Sequence, residues 1–241
     1  MKYSVVIISM SDSLEFLIPC IEAVHKTSPL EAEIVLILNA YTLSGFYTVK
    51  RKTETMLYAG RIITYLFLRG SPESFAQANN RGILASVGDY VVLLNDDTLV
   101  GPGWLESLRS GLELDPSLGC VGPQVADLAI DGSNTFDPET KPYVDYVALC
   151  CAMIPRPVFD RVGLLDVQFK PALFEDADFG VRIIQSGYRS AEVEVPGFWH
   201  ACNGTLGKIN EDRRRAMHES NHSRFLMKHG EWLKERCNET A

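Results

Sequence analysis

Asn95, Asp96 and Asp97 follow directly on the apolar run Tyr90 to Leu94, and Thr98 comes next. Bounded by Gly88 and Asp89, that run predicts a buried strand, so the acidic cluster stands where a strand emerges from a sheet. Ligands of open α/β sheets bind outside the carboxyl ends of the strands, and two adjacent carboxylates there repel each other unless a cation neutralises them. Hard divalent ions such as Mg²⁺ and Mn²⁺ take oxygen ligands and often bridge to substrate phosphates. The cluster therefore points to a metal held for a phosphorylated substrate. An acidic turn that caps the helix starting near Gly103 accounts for the same residues without a ligand.

A second acidic group lies in the segment Leu173 to Phe179, which carries Glu175, Asp176 and Asp178 and opens a predicted helix over 177–186, closed by Gly187. The helix dipole favours carboxylates at this end, which explains one or two acids better than three. Phe174, just before Glu175 and Asp176, brings a carboxylate to the edge of an apolar pocket, where desolvation raises its pKa toward that of a useful general base. His200 ends an apolar stretch that begins at Val193. A neutral imidazole there suits a divalent ion or a phosphate, and a buried, satisfied side chain is the plain alternative.

The elements that must position these groups alternate. Strands are expected over 4–9, 32–38, 62–68 and 89–94, with helices over 14–25, 48–58, 75–85 and 104–114 between and after them. This is the rhythm of an α/β fold with a doubly wound, mostly parallel sheet. The second half is mixed, with strands expected over 120–125, 143–154 and 188–195. There is no internal repeat and no long linker, so residues 1–241 read as one domain, with a first half over 1–100, a second half over 101–203, and a C-terminal loop and helix over 204–241.

Composition fits that reading. A chain of 241 residues with 46% hydrophobic content buries a substantial core. No stretch approaches the ~20 uninterrupted apolar residues that span a bilayer, and Met1 to Ser9 reads as a strand and not as a signal peptide, so the expected location is cytoplasmic. The six cysteines form no CxxC pair and sit mostly in apolar segments, as buried thiols do. A formal charge of −8 opposes broad binding to nucleic acid.

Taken in order, these segments resemble the family 2 glycosyltransferases of the GT-A fold. The opening strand Ser4 to Ser9, Asn80-Arg81-Gly82-Ile83 with Gly88-Asp89-Tyr90, Asn95-Asp96-Asp97 in the place of the DxD motif, Glu175-Asp176 as the ED motif with Gly187-Tyr188 beyond, and Trp199-His200 carry the resemblance. It implies a nucleotide-sugar donor, a Mn²⁺ or Mg²⁺ ion, and transfer with inversion to a hydroxyl of a glycan or other acceptor. Asp97 and His200 are then the metal ligands. Asp96 and Asn95 hold ribose or sugar hydroxyls or support the metal through water, Ser9, Ser11, Asn39 and Asn80 complete the donor side, and 1–100 is then the nucleotide-sugar-binding half and 101–203 the acceptor-binding half. Asp176 corresponds to the base, Glu175 orients the acceptor, and Asp178 belongs to the helix start.

The chain also departs from the family pattern. Leu38 stands where an Asp usually reads the donor base, and the Asn39 amide is the nearest substitute. The first loop is Ser9-Met10-Ser11-Asp12, and Asn79 replaces a basic residue. Arg213 to Arg215 either offset diphosphate charge or form a solvated run on a helix reaching about His229. His218 and His222 are expected at the surface, and Trp199 beside the sugar. Two other functions stay open: a nucleotidyltransferase, and a catalytically silent nucleotide-sugar or glycan-binding module.

Overall fold

In a computed structural model, residues 2–129, 143–202 and 209–240 are described. The central sheet has seven strands in the order β10-β6-β9-β4-β1-β2-β3. Its first half is β1 (Tyr3–Met10), β2 (Glu33–Asn39), β3 (Ile63–Leu68) and β4 (Tyr90–Asn95), all paired in parallel. The helices between them are α1 (Leu14–Thr27), α2 (Leu43–Tyr58) and α3 (Phe75–Ala85). β1, β2 and the middle of β4 are continuously buried, as parallel strands covered on both faces must be.

Alternate residues serve the two faces. Val5, Ile7, Leu36 and Leu38 pack against α1, α2 and α4 (Trp104–Leu114), where Leu17, Ile21, Val49 and Leu108 are buried. Val6, Ile8, Val35 and Ile37 face Ala76 and Ile83 of α3, in one cluster with Phe159 of α5 (Arg156–Val162) and with Phe179 and Ile183 of α6 (Glu175–Gln185).

In the second half β6 (Leu118–Gly122) and β10 (Arg189–Glu192) pair in parallel, while β9 (Cys151–Pro155) runs antiparallel to both β4 and β6. The single strand expected over 143–154 is two: β8 (Tyr143–Val147) pairs with β7 (Val125–Ala129), and β9 returns to the main sheet. The break at 148–150 turns the chain between the two sheets and leaves Cys150 at a strand end. Two further strands are too short for periodicity to mark, β5 (Thr98–Leu99) and β11 (Trp199–His200).

Helix limits shift where capping decides them. α2 starts at Leu43, ahead of its apolar pattern, because the Thr42 hydroxyl accepts from the Gly45 N–H at 3.0 Å. α6 starts at Glu175, so all three acids lie in its first turn. The last helix, α7 (Glu211–Thr240), runs well past His229 and is packed through Met217, Asn221, Phe225, His229 and Leu233, one buried residue in every four.

Candidate active site

The carboxyl ends of β1 and β4, the start of α6 and the first turns of α7 enclose a cleft of about 640 Å³. Asn95, Asp96, Asp97, Glu175, Asp176 and His200 all line it. The two acidic groups, some eighty residues apart in the chain, therefore face one cavity.

The first group is positioned by β4 and by a short strand pair. The Asn95 N–H donates to the Cys150 carbonyl at 2.9 Å, and Asp96 and Asp97 make the turn into β5. β5 then pairs antiparallel with β11, setting Thr98 opposite His200, and the Ala201 N–H donates to the Asp97 carbonyl at 3.0 Å. A close crossing of glycines permits this approach: a Cβ on Gly197, whose φ is +64°, would sit 2.8 Å from the Gly101 Cα. The pairing carries His200 Nε2 to 3.1 Å from Asp97 Oδ1. Hydrogen bonds to Asp97 and then to Cys150 outweigh burial and raise the imidazole to about 10. Burial raises the half-buried Asp96 to about 7 against a hydrogen bond from Ser9, and the Asp97 charge adds to the rise.

The Asp97 carboxylate at the cleft wall matches the oxygen donors a Mn²⁺ or Mg²⁺ ion accepts, and the His200 imidazole could join it only by giving up the proton that Asp97 now holds on it. Asn95 Oδ1, buried and without a hydrogen-bond partner among the described residues, is a further oxygen at the same strand end. Among those residues no set of three His, Cys, Asp or Glu side chains is placed to hold a metal. Asp97 and His200 are the two side chains there that could hold an ion.

The second group is held in an uncommon backbone. Leu173 and Phe174 both have positive φ, 81° and 72°, in the left-handed region that non-glycine residues occupy only when their surroundings impose it. α7 imposes it here. The Asn221 amide, fully buried, donates to the carbonyls of Ala172 and Leu173 at 2.9 and 3.1 Å. Phe174 packs against His218, His222 and Phe225. Asp178, also fully buried, binds Arg182 Nε at 2.8 Å, His229 Nε2 at 2.8 Å and Lys228 Nζ at 2.6 Å. Burial alone would raise Asp178, but His229, Arg182 and Lys228 together hold it below the ordinary carboxylate range.

Glu175 and Asp176 titrate the other way. Burial raises Asp176 to about 6, against the Ala177 N–H that donates to its Oδ1 at 2.9 Å. Burial and then the Asp176 charge raise Glu175 well above its usual value, and Glu175 Oε2 has no hydrogen-bond partner among the described residues.

Not every predicted site residue reaches the cleft. The Asn39 amide is fully buried and exchanges two hydrogen bonds with the Glu73 backbone, at 2.9 and 3.0 Å. Asn80 does the same with the Leu165 backbone, at 2.8 and 3.0 Å. Both amides pin loops, and neither lines the cleft. Ser9 is buried behind it, bonded to the Tyr41 hydroxyl at 2.7 Å, and supports Asp96 from there. Ser11 is an exposed loop residue whose N–H donates to the Asn39 carbonyl at 2.9 Å.

Several other expectations are revised. Trp199 is 55% exposed and stays out of the cleft, because alternation along β11 turns it away when His200 turns in. His218 and His222 are half-buried against Phe174, and His218 lines the cleft. Arg213 also reaches the cleft, while Arg215 pairs with Glu211 at the surface. The stretch expected to form a loop after His200 falls partly outside the described residues. Cys20, Cys120, Cys150 and Cys151 are buried free thiols, and Cys202 is exposed. No helix among the described residues is long and apolar enough to cross a membrane.

The sheet order, the acidic turn at the end of β4 and the acidic start of α6 define a GT-A glycosyltransferase fold. The model of Glycosyl transferase family 2 matches residues 4–132, and the chain belongs to that family. Among curated proteins it is 23% identical over 181 residues to an N-acetylglucosaminyl-diphospho-decaprenol L-rhamnosyltransferase of Mycobacterium tuberculosis, covering 61% of this chain and 58% of that one. It is 24% identical over 171 residues to the uncharacterized protein y4gI of Sinorhizobium fredii, covering 60% of this chain and 19% of that one. Among solved structures it is similar to GalNAc-T7 with UDP, GalNAc and Mn²⁺, with a TM-score of 0.67 and 18% identity over 91% of this chain and 48% of that one. It is also similar to the mannosyltransferase PcManGT of Pyrobaculum calidifontis in complex with GDP-Man and Mn²⁺, with a TM-score of 0.59 and 18% identity over 79% and 54%. The chain thus spans between about a fifth and three fifths of the length of these curated relatives.

Proposed function

We propose that this chain transfers a sugar from a nucleotide-sugar donor to a hydroxyl acceptor, a glycan, by single displacement with inversion at the anomeric carbon. The observation that carries the proposal is the cleft itself, with the Asp97–His200 pair on one wall and Asp176 with Glu175 on another. Residues 1–100 form most of the donor side, and 101–203 bring the acceptor carboxylates.

Asp97 and His200 are the side chains that would hold Mn²⁺ or Mg²⁺, which when bound supplies Lewis-acid stabilisation of the charge growing on the leaving diphosphate. Arg213, at the cleft, adds a fixed cation for the same charge. Asp96 and Asn95 offer oxygens to donor hydroxyls. Asp176, raised to about 6, is ionised near neutral pH yet basic enough to take the acceptor hydroxyl's proton as that oxygen attacks. Glu175, beside it on the same wall, orients the acceptor.

Rhamnose, mannose and GalNAc, the sugars named for one curated relative and two structural neighbours, are the ones to try first. A cytoplasmic location fits the buried free thiols, which stay reduced there. The test is hydrolysis or transfer from UDP-, GDP- and dTDP-sugars with Mn²⁺, in the wild type and in Asp176→Asn. Turnover lost in the variant with donor binding kept supports the assignment. Donor binding without turnover in the wild type, across all donors and candidate glycans, would make the chain a binding module.

A further inference from the structure

A second surface stands apart from the cleft. Among the described residues, the large apolar side chains left exposed include Leu43 (47%), Tyr47 (63%), Leu57 (39%), Tyr58 (82%) and Ile62 (56%), all on α2 or just beyond it. Buried Gly45, Val49, Thr53 and Met56 fix the inner face of α2, and Phe46 stacks on Phe67 of the edge strand β3 at 4.6 Å. Helical spacing then sets Leu43, Tyr47, Arg51, Glu54 and Tyr58 along one outward stripe, with Lys50 and Lys52 at its flanks.

The charge on this helix runs against that of the molecule. α2 carries Lys50, Arg51 and Lys52 against the single acid Glu54, in a chain of net charge −8. Interfacial helices combine these two features, apolar and aromatic side chains that enter the headgroup layer and cations that meet anionic lipid. Tyrosine favours that layer because its ring is apolar and its hydroxyl stays wet.

We propose that the outer face of α2 docks the protein on an anionic lipid bilayer. Exposed Leu43, Tyr47 and Tyr58 on the same face as Arg51 favour a bilayer over nucleic acid, which rewards cations without exposed leucine. No residue of α2 lines the cleft, so docking and turnover are separable by mutation.

The experiment is flotation of the purified protein with phosphatidylcholine vesicles, with and without phosphatidylglycerol. The protein should float only with phosphatidylglycerol and be released at high salt. Lys50→Glu/Arg51→Glu/Lys52→Glu should cut binding on the order of a hundredfold, and Tyr47→Ser/Tyr58→Ser should cut it about tenfold. Thermal melting checks both folds, and Arg51→Gln replaces the triple variant if that one melts early. Equal flotation without phosphatidylglycerol, binding that survives both sets of changes, or release by short duplex DNA at low concentration would each overturn the proposal.

Discussion

Replacing Asp176 by Asn should make the protein more stable while it removes activity. The folded pKa of about 6 lies above the ordinary 3.8, so the folded chain holds this proton more tightly than the unfolded chain does. Ionised Asp176 therefore opposes folding. The penalty is full above about pH 6, declines as pH falls toward 3.8, and vanishes below it. A rise of about two pH units corresponds to about 3 kcal/mol. Asn escapes that cost and keeps an oxygen for the Ala177 N–H, and because Asp176 is only half-buried, solvent screening trims the gain by about 1 kcal/mol. Glu175 is also relieved, since the Asp176 charge is the second cause of its own elevation. The net expectation is a gain of about 2 kcal/mol near pH 8, or roughly 4–8 °C in Tm, shrinking to nothing near pH 4. Urea unfolding across that range measures it, and turnover in the same samples should fall by about 10²–10⁴. Wild-type turnover should itself decline below about pH 6 as Asp176 takes up its proton. A variant no more stable than wild type at pH 8, or equally stabilised at every pH, would show Asp176 to be an ordinary solvated carboxylate and remove the physical ground for its role as base.

Asp178→Ala strips the partner from His229 and breaks pairs to Arg182 and Lys228, yet Lys228 keeps Asp166 at 2.6 Å and Arg182 keeps the Val162 carbonyl at 2.9 Å. The cost in urea unfolding should fall at the low end of a broken buried pair, about 3 kcal/mol; a loss under about 1 kcal/mol would mean that α7 does not depend on this anchor. His200→Ala and Asp97→Asn should each weaken Mn²⁺ on the order of tenfold or more by titration calorimetry with near-UV circular dichroism unchanged, and unaltered affinity would place the ion elsewhere. Asn39→Ala and Asn80→Ala each leave two backbone groups without a partner, those of Glu73 and of Leu165, and should cost about 2–4 kcal/mol while the folded variants bind donor as before. Unchanged stability with weakened donor binding would restore both amides to the donor site.

The parallel half of the fold was legible because each of its strands is a continuous apolar run and each helix an apolar stripe, patterns that a few consecutive residues state completely. The acidic turn at Asp96–Asp97 was legible for the same reason, since the end of an apolar run marks the strand end where ligands bind. Asn39 and Asn80 show the limit of such reading. An amide close to a predicted site looks like a ligand contact, and only the approach of the Glu73 and Leu165 backbones, 34 and 85 residues away, turns each into a pin. The β5–β11 pair joins segments about a hundred residues apart and is two residues long on each side, too short for any period to show.

α7 did carry a signal that apolar scoring passes over. Met217, Asn221, Phe225, His229 and Leu233 recur at four-residue spacing, and the two polar members hydrogen-bond the start of α6 and the turn before it. A polar side chain on the buried stripe of a helix must find a partner, because leaving it unmet costs more than the bond returns. Asn221 finds the carbonyls of the left-handed turn before Glu175, and His229 finds the carboxylate two residues after Asp176. The acidic turn is thus clamped on both sides by one helix. That arrangement lets Leu173 and Phe174 keep an unfavourable backbone and lets Glu175 stay buried with Asp176 half-buried beside it, conditions that a free helix end in water would relax.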